Sequence, residues 1–466
     1  MKRLLSRLLL ICLGIMLALA GIETFLRVHN SLVRNRQIRE QEEQGQIRLA
    51  GYTPEFMQRY YWHHPVIGNR HAPNVNLRIP FSEHPSGYLV FRTNNLGLRQ
   101  DEDVPIEKPP GVFRVLVLGD SMTEGIVHNC ETYSSLLETK LNEEERSRDR
   151  SMRGLQARRL AGGHVEFRVL NAGVGGYSTL QEYLWLKVYG RSLQPDLIIL
   201  SFYAGNDILD LADQRDDPYL AAAIEEVGSD VQDESLLLNT GLGARTKWYL
   251  RRTLRLYPLL WRIKDRLWGD ESQAYTAETT KRAPDLSSGE GYSSVLGQCL
   301  EQADLAQTHP QIAEAALRLQ ELILRRLAQE ANDLEARLLV VVIPTKLQVE
   351  PEDDQERINA VAAMLELEGH ELHFDDRVVE RVLNMCRSNQ IPVADMGPAL
   401  RQAARDGAAA HSTGHTAPAL PFTLDGARSY WLQGWHLSVD GNAIVAGQIH
   451  EYLQTHPQLL AVEHQH

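Results

Sequence analysis

The stretch Phe113-Arg114-Val115-Leu116-Val117-Leu118-Gly119-Asp120-Ser121 decides the fold. Its first six residues are mostly apolar and β-branched, and they stop dead at a glycine. That is the pattern of a strand buried on both faces that ends in a sharp turn. Runs of the same texture recur at 165–170, 196–202, 338–343 and 391–393. Helix-like segments lie between most of them, at 133–145, 179–189 and 312–331, and Ser178-x-x-Gln181 starts the second with a capping box. Strand alternating with helix predicts a parallel sheet covered by helices on both sides. Ligands of such sheets sit beyond the C-terminal strand ends, so the residues just after each apolar run are where chemistry is expected.

Three successive strand ends carry polar, glycine-rich sequence: Gly119-Asp120-Ser121, Asn171-Ala172-Gly173-Val174-Gly175-Gly176 and Ala204-Gly205-Asn206-Asp207. Acyl transfer needs a nucleophile at a sharp turn, backbone N–H groups for an oxyanion, and a general base. Ser121 supplies the hydroxyl directly after the first strand. The glycines near 176 let a backbone N–H approach a reacting carbonyl, and Asn206 offers a side-chain amide. Each motif alone has a plainer reading. Ser121 would be a turn or cap serine, Asn206 a turn brace, and the glycine turns would suit a phosphate equally well. Their joint order is what carries chemistry.

That order resembles the SGNH hydrolases, the GDSL esterase/lipase family, over about residues 111–210 and 336–455. The first block of the family is similar to Gly119-Asp120-Ser121-Met122-Thr123-Glu124-Gly125, with Ser121 as nucleophile. The second is similar to 171–178, with Gly176 as the oxyanion glycine, and the third to 204–207, with Asn206 as the oxyanion asparagine and Ala204 replacing a glycine. The last block resembles His436-Leu437-Ser438-Val439-Asp440-Gly441-Asn442, which makes His436 the base. The family's orienting aspartate, two or three residues earlier, is absent, because those positions hold Gly434 and Gln433. Asp425, on the preceding loop, is the candidate substitute; a Ser–His dyad held by a backbone carbonyl is the alternative. The resemblance implies a three-layer α/β/α sandwich around a five-stranded parallel sheet, serine ester hydrolysis, and neither metal nor organic cofactor. It leaves two other functions open: an O-acyltransferase acting on an envelope polysaccharide, and a degenerate member that only binds. The α/β-hydrolase elbow G-x-S-x-G is not met, since Asp120 precedes Ser121 and Met122-Thr123 follow it.

The rest of the chain frames this domain. Its 466 residues carry 48 basic and 61 acidic side chains, a net charge of −13, which argues against a nucleic-acid partner. Lys2, Arg3 and Arg7 precede an apolar or small run over 8–22, the grammar of an export signal. Residues 1–30 are therefore expected to be a signal-anchor, or a signal peptide cleaved after Ala20, with the body extracytoplasmic; a buried helix of a cytoplasmic protein is the rival reading. Residues 31–110 are expected to hold a charged stalk and small extended elements such as 88–92, ahead of a hydrolase domain over 111–466. Within that domain about 211–310 interrupts the alternation as an insertion. Inside it, 245–268 mixes eight Lys/Arg side chains with Trp248, Tyr249, Tyr257, Trp261 and Trp268. This segment either lies on a membrane or packs as a helix on the body. The expected partner is an acyl ester, of a lipid or an acylated glycan. Residues 403–421, rich in Ala, Gly, Pro and His, read as a loop. Four cysteines without C-x-x-C spacing argue against a zinc site or a redox motif.

Overall fold

The computed structural model describes residues 61–64, 66–80, 84–151, 165–214, 294–350, 376–412 and 436–461, with the single positions 359 and 362. The leader, the stalk, the 245–268 segment and Asp425 lie outside the described residues. No helix among the described residues is long and apolar enough to cross a membrane.

The region before the first apolar run forms two antiparallel hairpins. β1 (Tyr61–His64) pairs with β2 (Gly68–His71), and β3 (Asn76–Pro80) pairs with β4 (Tyr88–Arg92). The α/β body follows, beginning with β5 (Val112–Leu118) and the short α1 (Ser121–Glu124). Next come α2 (Tyr133–Ser151), β6 (Glu166–Asn171), α3 (Thr179–Leu193), β7 (Leu197–Tyr203) and α4 (Asp207–Gln214). The chain continues through α5 (Ser294–Thr308), α6 (Pro310–Asp333), β8 (Arg337–Ile343) and α7 (Lys346–Val349). It closes with α8 (Arg377–Ser388), β9 (Val393–Asp395), α9 (Gly397–Ser412) and α10 (Val439–Thr455).

Five strands form one parallel sheet in the order β6-β5-β7-β8-β9. Alternate side chains of each strand enter opposite layers, as the two-residue period of a strand demands. Leu116, Leu118, Ile198, Leu200, Phe202, Val340 and Val342 pack in one core with α3, α4, α6 and α8. Val115, Val117, Leu197, Ile199, Leu339 and Val341 pack in the other with α2, α7, α9 and α10. Both faces are thus covered, which is why the strands read as continuous apolar runs. Helix α6 shows the complementary pattern: Ala313, Ala316, Leu317, Gln320, Ile323, Leu324, Leu327 and Ala331 are buried, one stripe along a helix that begins with Pro310.

The strand order fixes where a site belongs. From β5 the chain steps to β6 on one side, then crosses back to β7 on the other. The C-terminal ends of β5 and β7 therefore flank the reversal point, where a crevice opens between the loops. Ser121 follows one of these strands and Asn206 the other.

Two local expectations change. The last strand lies at Val393–Asp395, two residues beyond the apolar run at 391–393, because Ile391 closes the preceding helix turn instead: its N–H donates to Cys386 O. The expected loop over 403–421 is helical through Ser412. Its alanines are strong helix formers, and Leu400 and Ala404 bury against the second core. Cys130, Cys299 and Cys386 are free thiols.

Candidate active site

β5 ends at Leu118, and Asp120 then caps α1: its side chain accepts from Met122 N–H at 2.9 Å. Ser121 is the first residue of the helix, half-buried, and its hydroxyl is not needed as the cap. Its Oγ lies 3.0 Å from His436 Nε2. His436 is 3% exposed and stands two residues before Ser438, whose hydroxyl accepts from Gly441 N–H at 3.0 Å to start α10. Asn442 locks this junction, with Nδ2 donating to Leu437 O at 3.1 Å and to Ser438 O at 2.9 Å and Oδ1 accepting from Tyr133 N–H at 2.9 Å. Residues 315 apart in sequence are thereby brought to hydrogen-bonding distance.

Burial sets the chemistry of the base. Desolvation pushes the His436 imidazole down to about 4, opposed by the nearby Glu124 carboxylate. At neutral pH the ring is therefore uncharged and can accept the serine's proton.

The second loop wraps the nucleophile turn closely. Asn171 Oδ1 accepts from Gly173 N–H at 3.0 Å, while its Nδ2 donates to Thr123 O and to Ser134 Oγ, each at 2.9 Å. A side chain at Gly173 would strike the backbone of Thr123 and Glu124, so only glycine permits this approach. Gly175 N–H donates to Glu124 Oε2. Gly176 has φ +78°, and a Cβ there would enter open space. Asn206 is nearly buried; its Nδ2 donates to Asp210 Oδ2 at 2.9 Å, which anchors one of its two N–H bonds. The loops thus bring Ser121, His436 and the Gly175–Gly176 turn around one centre, with Asn206 at the end of the neighbouring strand.

No family model matches the chain. No curated protein matches it either. Solved structures do align with it. An acetyl xylan esterase aligns at 12% identity over 72% of this chain and 98% of its own, with a TM-score of 0.29. A catalytic mutant of an acetylxylan esterase from Geobacillus stearothermophilus aligns at 12% identity over 73% and 94%, with a TM-score of 0.31. An alpha/beta hydrolase enzyme from the metagenome of Lake Arreo, Spain, aligns at 11% identity over 74% and 96%, with a TM-score of 0.31.

Several residues around the site carry no signal in the motifs. Arg99 is fully buried and holds the loop after the nucleophile: Nε donates to Glu124 O at 2.8 Å, Nη1 to Asn129 Oδ1 at 3.0 Å and Nη2 to Val127 O at 2.6 Å. Its guanidinium also lies 3.9 Å from the Phe91 ring centre, so it joins the second hairpin to the site. Arg99→Ala would take this donor from Glu124 O and Val127 O, each loss costing about 1–3 kcal/mol, while Asn129 Oδ1 keeps Arg92 N–H. The expected result is a loss of roughly 3–5 kcal/mol in a urea unfolding experiment. An unchanged midpoint would show that the loop holds itself.

Beneath the site lie three fully buried carboxyls, Asp120, Glu182 and Asp207. Burial pushes Asp120 up to about 7, and burial with mutual repulsion drives Glu182 and Asp207 well above the usual range. Neither oxygen of Glu182 meets a donor among the described residues. Such a group binds a proton in the folded chain that the unfolded chain has already lost, so its contribution to stability falls as pH rises through that interval. Glu182→Gln should therefore raise the melting temperature, by more at pH 9 than at pH 5. The amide is buried as poorly as the carboxyl, so the gain appears only above the ordinary carboxylate range, where the acid alone must be held protonated. A variant less stable than wild type at pH 9 would contradict this.

A second cluster lies further out. His84, His128 and Glu131 place their ligand atoms within 4.8 Å of one another. Val90 N–H donates to His128 Nδ1 at 2.9 Å, so that ring, when neutral, carries its hydrogen on Nε2. His84 Nδ1 lies 2.8 Å from Ser86 Oγ, and its Nε2 lies 2.8 Å from Glu131 Oε2. These bonds tie the second hairpin to the loop after α1.

Proposed function

We propose that this chain is an SGNH-type serine ester hydrolase that cleaves acyl esters through an acyl-enzyme on Ser121. The observation that carries the proposal is the 3.0 Å contact between Ser121 Oγ and the buried, neutral His436 Nε2. A helix-cap serine would not need an imidazole, and here Asp120 does the capping. His436 takes the serine's proton as Oγ attacks the ester carbonyl. The oxyanion forms against Ser121 N–H, Gly176 N–H and the Asn206 side-chain amide, which Asp210 braces. The imidazolium then protonates the leaving alkoxide, and a water activated by the same ring releases the acyl group.

The export grammar of residues 1–30 supports a body outside the cytoplasm, anchored or released, ahead of a hydrolase domain over 111–466. The basic and aromatic content of 245–268 supports a second contact with lipid, and the ester is then one of a lipid or an acylated envelope glycan. Incubation of the full chain with p-nitrophenyl acetate, with and without an added glycan, tests the activity. Release of p-nitrophenol with free acetate as the coproduct is expected. Acetyl groups appearing on the glycan would make it a transferase, and no turnover beyond a serine-free control would leave a binding protein.

A further inference from the structure

A serine–histidine pair works best when a carboxylate faces the imidazole, because the ring becomes a cation in the rate-limiting step. Gln433 and Gly434 leave none at the positions just before His436. The structure places another on the nucleophile's own short helix, where its charge opposes the fall in the imidazole's affinity for protons. Glu124 lies three residues after Ser121 on the same short helix, and it is gripped from several sides. Gly175 N–H donates to its Oε2, and His71 Nε2 lies 3.6 Å from its Oε1. Arg99 Nε holds its backbone carbonyl at 2.8 Å. A methyl group placed on Gly175 would sit 2.8 Å from Glu124 Oε2, 3.5 Å from Tyr61 Oη and 3.7 Å from Ser121 Cβ. Nucleophile, carboxylate and phenol thus converge on one point above the oxyanion loop.

The first hairpin builds half of this arrangement. Tyr61 and His71 are directly opposed across β1 and β2, so their side chains share a face. Their rings stack with centroids 5.4 Å apart and 22° between planes. His71 is 2% exposed, and Phe91 of the second hairpin packs against its edge. The hairpins are therefore not an appendage to the α/β body; they form one wall of the nucleophile's surroundings.

We propose that Glu124 is a positioning residue that acts as the charge partner of His436, with His71 of the β1–β2 hairpin beside its carboxylate. It has two tasks. As an acceptor it fixes the Gly175–Gly176 turn beside the serine. As a charge it favours the imidazolium that forms when Ser121 loses its proton. The groups around the carboxylate are His71 and Tyr61 from the hairpin, Asp120 from the start of its own helix and His436 from the loop before α10. Asp120 and Glu124 repel each other, and burial pushes the Asp120 carboxyl up to about 7. This proposal rests on the serine hydrolase reading above.

The test separates the two tasks and separates both from that reading. A fluorophosphonate labels an activated serine without needing the natural ester, so its rate against pH reports the state of the base directly. Wild type, Glu124→Gln and Glu124→Ala are compared as full chains, with Ser121→Ala as the blank. Gln still accepts from Gly175 N–H but carries no charge. Its plateau rate is expected to fall about tenfold, with the acid limb of the profile displaced to lower pH, because loss of a negative neighbour lowers the imidazole's affinity for protons. Ala removes the acceptor as well and is expected to fall about tenfold further. A Gln variant with the wild-type limb overturns the charge role, whatever its plateau, since damage to packing slows labelling without moving the titration. A wild type that is not labelled at Ser121 overturns the hydrolase reading itself.

Discussion

Ser121→Ala is expected to lower ester hydrolysis by a factor on the order of 10⁴–10⁶, to whatever the oxyanion donors and binding alone supply. The size follows from the role of the atom removed. Without Oγ no acyl-enzyme forms, and the only remaining route is direct attack by water held near the same donors. The fold should not change. Ser121 is half-buried at the first position of α1, and the helix start is secured by Asp120, whose carboxylate accepts from Met122 N–H at 2.9 Å. The hydroxyl's partner among the described residues is His436, so no backbone group is orphaned by its loss. Loss of the bond to the buried His436 Nε2 should cost about 1 kcal/mol, a fall of a few degrees in melting temperature. Activity within tenfold of wild type would show that another residue is the nucleophile. A large fall in stability would mean that the serine is structural after all.

What could be read in the sequence divides along physical lines. The five strands were legible because a strand buried on both faces must be apolar at every position, and 113–118 and 338–343 have that texture. β9 was placed two residues early, since a three-residue strand gives too short a pattern to fix its bounds. Residues 403–412 of α9 mix glycine, histidine and serine with alanine, so their sequence reads as loop, yet they continue a helix whose Leu400 and Ala404 are buried. The meeting of Ser121 with His436 was legible through ordered motifs at strand ends. The contribution of Tyr61, His71 and Arg99 was not. Their signals are a short hairpin and a single buried arginine, and nothing in local periodicity tells which loop they will cover. Glu124 stood in plain view three residues from the serine, yet its role depends on Gly175 and His71, which only the folded chain places beside it. Asn206 was expected as an oxyanion donor, and the fold adds what its other N–H does, bonding Asp210.

His436→Ala should abolish turnover as thoroughly as loss of the serine, by about 10⁴-fold or more, because the two act as one unit and their losses do not add. The double variant Ser121→Ala, His436→Ala should be no slower than either single one. The pH dependence is a sharper check. With the imidazole held down to about 4 by burial, kcat/KM should climb through that value and stay level across neutral pH, well below the ordinary histidine range near 6.5. Stability should carry the same signature. Between about 6.5 and 4 the unfolded chain takes up a proton at this histidine that the folded chain refuses, so falling pH destabilises the fold by up to about 3 kcal/mol. His436→Ala removes that proton from the unfolded state. Its stability should therefore decline less steeply than that of wild type between pH 6.5 and 4, even though the cavity it creates lowers the value at pH 7. Parallel slopes for the two proteins would mean that the ring titrates in the folded chain as in the unfolded one. The climb in kcat/KM would then lie near the ordinary histidine value of about 6.5 instead of near 4.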